Sequence, residues 1–188
     1  MIDVSLDFTR QVLEQYLVVN AEQDAGIVVL NSVVDFNSNM PAKNQNKMVI
    51  TLVNLEYETN KQFYGGMHAD GEQFSRINPS VLFNLDILIS ACFDSYTEAL
   101  KLLTATISFF QSNFNFTREN SPTLPAGLKA LKFEIENSPS LKTHNLWTAM
   151  GAKYLPSIIY KIRNVAVQGA QVKATAPMVG SATGSVQP

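Results

Sequence analysis

Residues 79–92 read Pro79-Ser80-Val81-Leu82-Phe83-Asn84-Leu85-Asp86-Ile87-Leu88-Ile89-Ser90-Ala91-Cys92 and leave little choice of fold. Val81, Phe83, Leu85, Ile87 and Ile89 alternate with Leu82, Asn84, Asp86, Leu88 and Ser90. Side chains on a strand point alternately to opposite faces, so the run has one wholly apolar face and one mixed face. It predicts a central strand of a sheet, with at least one face buried under other elements.

The flanking segments supply that sheet and its cover. Residues 2–19 carry Ile2, Leu6, Leu13, Tyr16 and Leu17 at helical spacing, with Arg10, Gln11, Glu14 and Gln15 largely off the stripe, and predict an amphipathic helix. Residues 26–36, which begin with Ile27-Val28-Val29-Leu30, and residues 47–57 predict two strands joined across the polar stretch 37–46 as a long hairpin. Residues 58–77 hold Phe63, Tyr64, Gly65, Gly66 and Gly71 and read as a loop, either mobile or in contact with a partner. Ser95-Tyr96-Thr97-Glu98 is a capping-box pattern. It opens a helix to about Asn113 whose buried stripe is expected to be Tyr96, Ala99, Leu100, Leu103, Ile107 and Phe110.

Pro122 and Pro125 punctuate the loop that follows. Residues 128–136 alternate Leu131, Phe133 and Ile135 with Lys132, Glu134 and Glu136, the pattern of a strand with one wet face. Ser138-Pro139 predicts an N-cap followed by proline at the first helical position, and Gly151 predicts the end of that short helix. Residues 155–168 predict a last strand with Ile158, Tyr160 and Ile162 on one face and Lys161 and Arg163 on the other. The resulting order is α-β-β-β-α-β-α-β. It describes an α+β domain over residues 1–168, with one mixed, mainly antiparallel sheet and helices packed on it. Residues 169–188 are dominated by Gly, Ala, Ser, Thr and Pro without apolar periodicity. Such a segment has no core of its own and predicts a low-complexity tail, or an arm ordered by a neighbouring subunit.

Apolar residues make up 46% of the chain and charged residues only 16%, where ordinary domains carry about a quarter. Either one large core or subunit interfaces, which lose charge at their centres, account for that. The net charge of −2, with no cluster of Lys and Arg, argues against nucleic acid and against a charge-driven membrane surface. Asp3 and Asp7 interrupt the N-terminus, so no signal peptide is read, and no stretch reaches the roughly 20 apolar residues that cross a bilayer. Cys92 is the one cysteine and sits in an apolar run, which fits an inert buried thiol in a chain folded in a reducing cytoplasm.

No constellation for catalysis emerges. His68, close to Asp70, and His144 lack partners at ligand spacing, so each reads as a surface or capping residue rather than a metal ligand. Asp86 on the mixed strand face is the most suggestive acid, yet no base or nucleophile stands at motif spacing. The plainer expectation is that its face meets a polar partner or a helix end. Gly65-Gly66-Met67-His68-Ala69-Asp70-Gly71 lacks the Lys-Ser/Thr of a phosphate-binding loop. Trp147 and Tyr154 flank Gly151 and read either as aromatics locking a helix onto the sheet or as an interface anchor. No catalytic, cofactor-binding or metal residue is therefore assigned, and the chain is not expected to be an enzyme.

Two segments together carry a resemblance. One is Ile77-Asn78-Pro79-Ser80-Val81-Leu82-Phe83-Asn84-Leu85-Asp86-Ile87-Leu88-Ile89-Ser90-Ala91 with the helix from Tyr96 to Leu103. The other is Asn145-Leu146-Trp147-Thr148-Ala149-Met150-Gly151-Ala152-Lys153-Tyr154-Leu155-Pro156-Ser157-Ile158-Ile159-Tyr160-Lys161-Ile162-Arg163. They resemble the N-terminal domain of the cap, or tube-terminator, proteins of extracellular contractile injection systems of the anti-feeding-prophage type, over roughly residues 2–168. The resemblance implies a tail-terminator-like fold and a structural role. A homo-hexameric ring would end the inner tube and meet the tube protein, the last sheath ring and, as a further candidate, the tape-measure protein. Assembly would take place in the bacterial cytoplasm before the particle becomes extracellular. The matched positions Asn84, Leu85, Trp147, Gly151, Tyr154, Pro156 and Tyr160 are expected chiefly to hold the fold. Some relatives carry more sequence after this domain, so this chain is expected to be the shorter of two related caps. A baseplate or neck connector of the same particle, or a small-molecule enzyme using Asp86 and His68, are the alternatives.

Overall fold

The computed structural model describes residues 1–59 and 80–167, together with the strands at 67–70, 73–77 and 172–177. The chain runs α1 (Ile2–Asn20), β1 (Val28–Leu30), a 3₁₀ turn (Ala42–Asn44), β2 (Lys47–Tyr57), β3 (Met67–Asp70), β4 (Gln73–Ile77), β5 (Val81–Cys92) and α2 (Tyr96–Ser112). It continues through β6 (Asn115–Thr117), β7 (Ala130–Ile135), α3 (Ser140–Met150), β8 (Ser157–Val167) and β9 (Val172–Pro177). Six strands form one sheet in the order β1-β2-β5-β8-β7-β6, antiparallel except for the β1/β2 pair. The expected α+β architecture is therefore present, with β5 third in the row as a central strand.

One face of the sheet carries the main core. Leu85, Ile87, Ile89 and Ala91 of β5 join Tyr160 and Ile162 of β8 and Leu131 and Phe133 of β7 beneath α1 and α2. Phe110 of α2 is 2% exposed and its ring lies 4.7 Å from both Phe133 and Tyr160 and 4.9 Å from Phe109. Stacked and edge-on rings at such distances stabilise beyond the area they bury. Helix α1 enters the same core through Leu6, Phe8, Leu13 and Leu17, and Phe8 meets Phe116 of β6 edge-on at 5.5 Å. α3 lies on the opposite face, where Trp147 packs over Leu88 and Ile159 with Val33 in a smaller second core.

Several expectations are corrected. The strand expected over residues 26–36 spans only Val28–Leu30, and it pairs with β2 in parallel, so there is no hairpin. The reason lies in the connection. Ile27 and Val28 belong to the main core, whereas Val33 belongs to the second core, so the chain crosses the sheet edge after Leu30. Buried Asn44 holds that crossing by donating to the Ser32 carbonyl at 2.8 Å and accepting from Asn31 Nδ2 at 2.8 Å. Residues 58–77 are not one loop, for β3 and β4 lie within them and pair antiparallel from Asp70↔Gln73 to Met67↔Arg76. Only Gly71 and Glu72 separate the two strands in sequence, and Asp-Gly is a hairpin signal that their glycine content disguised. Phe63, Tyr64, Gly65 and Gly66 lie outside the described residues.

Helix α2 is also rotated from expectation. Ser95 caps it, accepting from the Glu98 N–H at 3.4 Å, but its buried face is Ala99, Leu102, Thr106, Phe109 and Phe110. Tyr96 and Leu100 are exposed instead. The helix is apolar around much of its circumference, so spacing alone does not say which stripe faces inward. At α3 the N-cap position is held by Pro139 rather than Ser138, whose hydroxyl bonds Thr143 Oγ1 at 2.9 Å. Gly151 ends that helix in the left-handed region at φ 66°, where glycine carries no Cβ penalty.

A second sheet has the order β3-β4-β9. β9 falls within residues 169–188 and pairs antiparallel with β4. In the chain β3 comes after β2, β4 before β5 and β9 after β8, so the lateral order β3-β4-β9 repeats the order β2-β5-β8 of the large sheet. Substitution separates the two stripes of α2. Phe110→Ala is expected to cost about 3–5 kcal/mol through the cavity it leaves, and Leu100→Ala under about 1 kcal/mol; urea melts of the two variants measure the difference.

Candidate functional site

The outer face of the sheet, opposite the main core, is where Asp86 lies, and it divides into an apolar half and an ionic half. α3 covers the apolar half around Leu88 and Ile159. The ionic half is built by strand register. β5 and β8 pair Asp86↔Lys161, β2 and β5 pair Asn54↔Asp86, and β7 and β8 pair Glu134↔Lys161 and Lys132↔Arg163. Lys161, only 8% exposed, donates to Glu56 at 2.8 Å and lies 3.6 Å from Asp86 and 3.5 Å from Glu136. Asp86 accepts from Asn54 Nδ2 at 3.1 Å. Glu136 also receives Lys142 of α3 at 2.6 Å, so the same carboxylate ties the helix to the sheet.

Beside this group Glu134 takes Arg163 at 2.8 Å and Lys132 at 2.8 Å. Hydrogen bonds from Lys132 and Arg163 hold the Glu134 carboxyl below the usual glutamate range, and the bond from Lys142 does the same for Glu136. The bond to Glu56 raises Lys161 in turn. Two bulges shape the site. β2 has an extra residue at Val53, and β8 has one near Asn164, which sits at φ 60°. The Asn164 N–H donates to Asn84 Oδ1 at 3.1 Å while Asn84 Nδ2 donates to Glu58 at 3.0 Å, so the buried amide of Asn84 is used at both ends. Asparagine tolerates the left-handed region better than most residues, which suits it to the bulge.

The arrangement is that of a structural ion network. Asp86, Asn84 and Ser90 share the outer face as expected, and Asp86 meets a buried lysine rather than a helix end. A hollow of about 580 Å³ opens beside α3, lined by Ser138, Thr143, His144, Trp147, Thr148 and Tyr154 among others, and Asp86 does not line it. His68 and Asp70 fall in β3, at the positions opposite Ser75 and Gln73. Among the described residues no group of three or more His, Cys, Asp or Glu is placed to hold a metal ion. Nor, among them, is any helix long and apolar enough to cross a membrane. Burial raises the Cys92 thiol above its ordinary value, which disfavours the reactive thiolate. Trp147 is buried and its ring meets exposed Tyr154 edge-on at 5.5 Å. Lys161, Glu56 and Glu136 were not singled out by sequence. Their alternation was visible, but only the register brings them to one place.

Removing the shared cation is expected to cost more than removing one anion. Lys161→Met strands Asp86 in a buried position and should cost about 3 kcal/mol, whereas Asp86→Asn leaves Lys161 with Glu56 and Glu136 and should cost about 1 kcal/mol. Chemical denaturation of both variants tests the ranking. The lowered carboxyls also set an acid limit. A carboxyl depressed in the folded state stabilises fully above its ordinary value of 4.5 and loses that contribution as pH falls through the lowered value. Melting temperature should therefore decline below about pH 4.5, and Glu136→Gln should flatten the decline by roughly 0.5–1 kcal/mol, the worth of a partly exposed pair.

The fold has known counterparts. One is the sheath/tube terminator of an extracellular contractile injection system, PVC, in the extended state. It aligns at a TM-score of 0.66 and 16% identity, covering 100% of this chain and 64% of that one. Another is the tube-terminating cap of the anti-feeding prophage, at a TM-score of 0.57 and 12% identity, covering 100% of this chain and 61% of that one. At these identities the likeness is one of fold, and the chain spans under two thirds of either protein's length. No curated protein matches the sequence. The family described as the Pvc16 N-terminal domain matches residues 9–181, nearly the whole sequence, and the chain belongs to that family.

Proposed function

We propose that this chain is a structural cap that terminates the inner tube of a phage-tail-like contractile injection system. The family match across residues 9–181 carries the reading, supported by the shared fold with a sheath/tube terminator and a tube-terminating cap. On this reading the chain forms a homo-hexameric ring on the tube end, where the tube protein, the last sheath ring and the tape-measure protein are its neighbours. It assembles in the bacterial cytoplasm and leaves as part of the particle. It has no catalytic role, and Asp86 works by holding Lys161 in the sheet. Residues 1–168 act as the terminator domain and residues 169–188 as an arm, of which β9 already adds to β4.

The physical logic is that of closure. A growing tube ends in a ring of unsatisfied surface, and a closed ring that matches it on one side while offering no further growth surface stops propagation. Deleting the gene for this chain from a producing cell should give tubes of uncontrolled length, and adding the purified chain to assembled tubes should place density at one tube end by electron microscopy. Tubes of normal length in the deletion, or density at the baseplate end, would defeat the cap reading. Removing residues 169–188 alone should leave a folded chain and give over-long or uncapped tubes.

A further inference from the structure

Strand β2 is 11 residues long, but β1 pairs only with Met48, Val49 and Ile50. The Asn31 N–H still reaches the Ile50 carbonyl at 3.1 Å, Thr51 Oγ1 donates to the Asn31 carbonyl at 2.6 Å, and there the cover stops. From Leu52 to Tyr57 no strand among the described residues pairs with the side of β2 that faces away from β5. Bonds on either side of the bulge show which backbone groups point there. The Met48 N–H donates to the Ile27 carbonyl at 2.9 Å and the Ile50 carbonyl takes Asn31, so both residues face β1, and alternation turns Leu52 the same way. Past the bulge the Glu58 N–H donates to the Leu82 carbonyl of β5 at 2.9 Å, so Tyr57 and Leu55 face outward. Among the described residues nothing bonds the outward amides and carbonyls of Leu52, Leu55 and Tyr57.

The same three residues pair with Ile87, Leu85 and Phe83, so their side chains lie on the apolar inner face. All three are exposed, as is Val81 on that face, and the Tyr57 ring meets Phe83 edge-on at 6.1 Å. The apolar face of the sheet thus runs uncovered to an edge whose backbone is unpaired. Alternate unpaired amides and carbonyls are satisfied by water or by another extended chain, and an apolar face beside them favours the chain. The open stretch is roughly 20 Å long, the length of an ordinary strand. Charge selects the strand. On its outer face this end of β2 presents Asn54 and Glu56, followed by Glu58, with no Lys or Arg after Lys47. The cations Lys161 and Arg163 lie on β8, with β5 between. Glu56 keeps 42% of its side chain exposed while taking Lys161. A strand arriving beside β2 meets carboxylates first, and opposite charges on neighbouring strands attract. A second copy's β2 would bring more carboxylates, and residues 178–188 contain no Lys or Arg and two glycines, Gly180 and Gly184.

We propose that the edge of β2 from Leu52 to Tyr57 takes an extended segment of a partner protein as an added strand, with apolar residues beside Leu52, Leu55 and Tyr57 and lysine or arginine at the alternate positions beside Glu56. The site stands independently of the cap and ring readings. Amide exchange followed by NMR on the full chain tests it with three short synthetic peptides: valine alternating with lysine, the same with glutamate for lysine, and the lysine peptide with a central proline. In the free chain the Leu55 and Tyr57 amides should exchange fast. The lysine peptide should slow both and bind about tenfold or more tighter than either of the others. Leu55→Pro removes an outward N–H that no β5 bond uses, and Tyr57→Lys sets a charge on the apolar face. Either change should abolish the protection, with circular dichroism checking that each variant is folded. Protection of Leu55 and Tyr57 in the free chain at every concentration would mean that the edge is already covered, and the proposal fails. Protection that grows with protein concentration would make a second copy the occupant and overturn it equally. Equal binding of the glutamate peptide, or no slowing of these two amides by the lysine peptide, would also overturn it.

Discussion

The pairing of β5 with β8 sets what the rest of the molecule can do. Its register places Ile87 beside Tyr160 on one face and Asp86 beside Lys161 on the other. The first face supports the aromatic group of Phe110, Phe133 and Tyr160 on which α2 rests. The second gathers a buried lysine and three carboxylates, one of which reaches α3 through Lys142. A slip of one residue would turn Asp86 into the apolar core and Ile87 onto the ionic face. The ion network therefore acts on register as much as on stability. Its net energetic worth is modest by the usual balance of desolvation and attraction, but a wrongly paired strand would leave charges buried without partners.

Two bulges show the same economy. The extra residue in β2 puts Val53 against the second core, and the one in β8 is stabilised by Asn84 across the strand. Both lie toward the end of the sheet from which β3, β4 and β9 continue. Bulges raise local twist and bend the strand that carries them. The bulges aim the end of the sheet, and the aim is encoded in a few asparagines and one valine.

Much of this was legible in sequence where periodicity and length agree. The alternation from Val81 to Cys92 located β5, the Ser95-Glu98 pattern located the start of α2, and Gly151 located the end of α3. What was not legible required tertiary context. The parallel course of β1 depends on Asn44, which looks in sequence like one more polar loop residue. The inward face of α2 depends on Phe109 and Phe110 outcompeting Tyr96 and Leu100 for the sheet, a choice of size and shape rather than spacing. The Lys161 network combines residues from β2, β5, β8, α3 and the turn after β7, and no window of sequence contains it. The resemblance to cap proteins rested on Trp147, Gly151 and Tyr160, which the structure places at the α3 contact, the α3 stop and the main core.

The low charge content now has a physical location. Of the 16% of residues that are charged, those on the outer sheet face largely neutralise one another within the chain. That removes them from the surface as a source of long-range repulsion between copies. The charges without an ion-pair partner among the described residues carry both signs in the segments around either edge strand, Glu22, Asp24 and Lys43 near β1 and Arg118, Lys129 and Glu119 near β6. A nearly neutral chain of this kind would tend to associate without direction. Three-residue edge strands then limit how far pairing can run before side chains must agree.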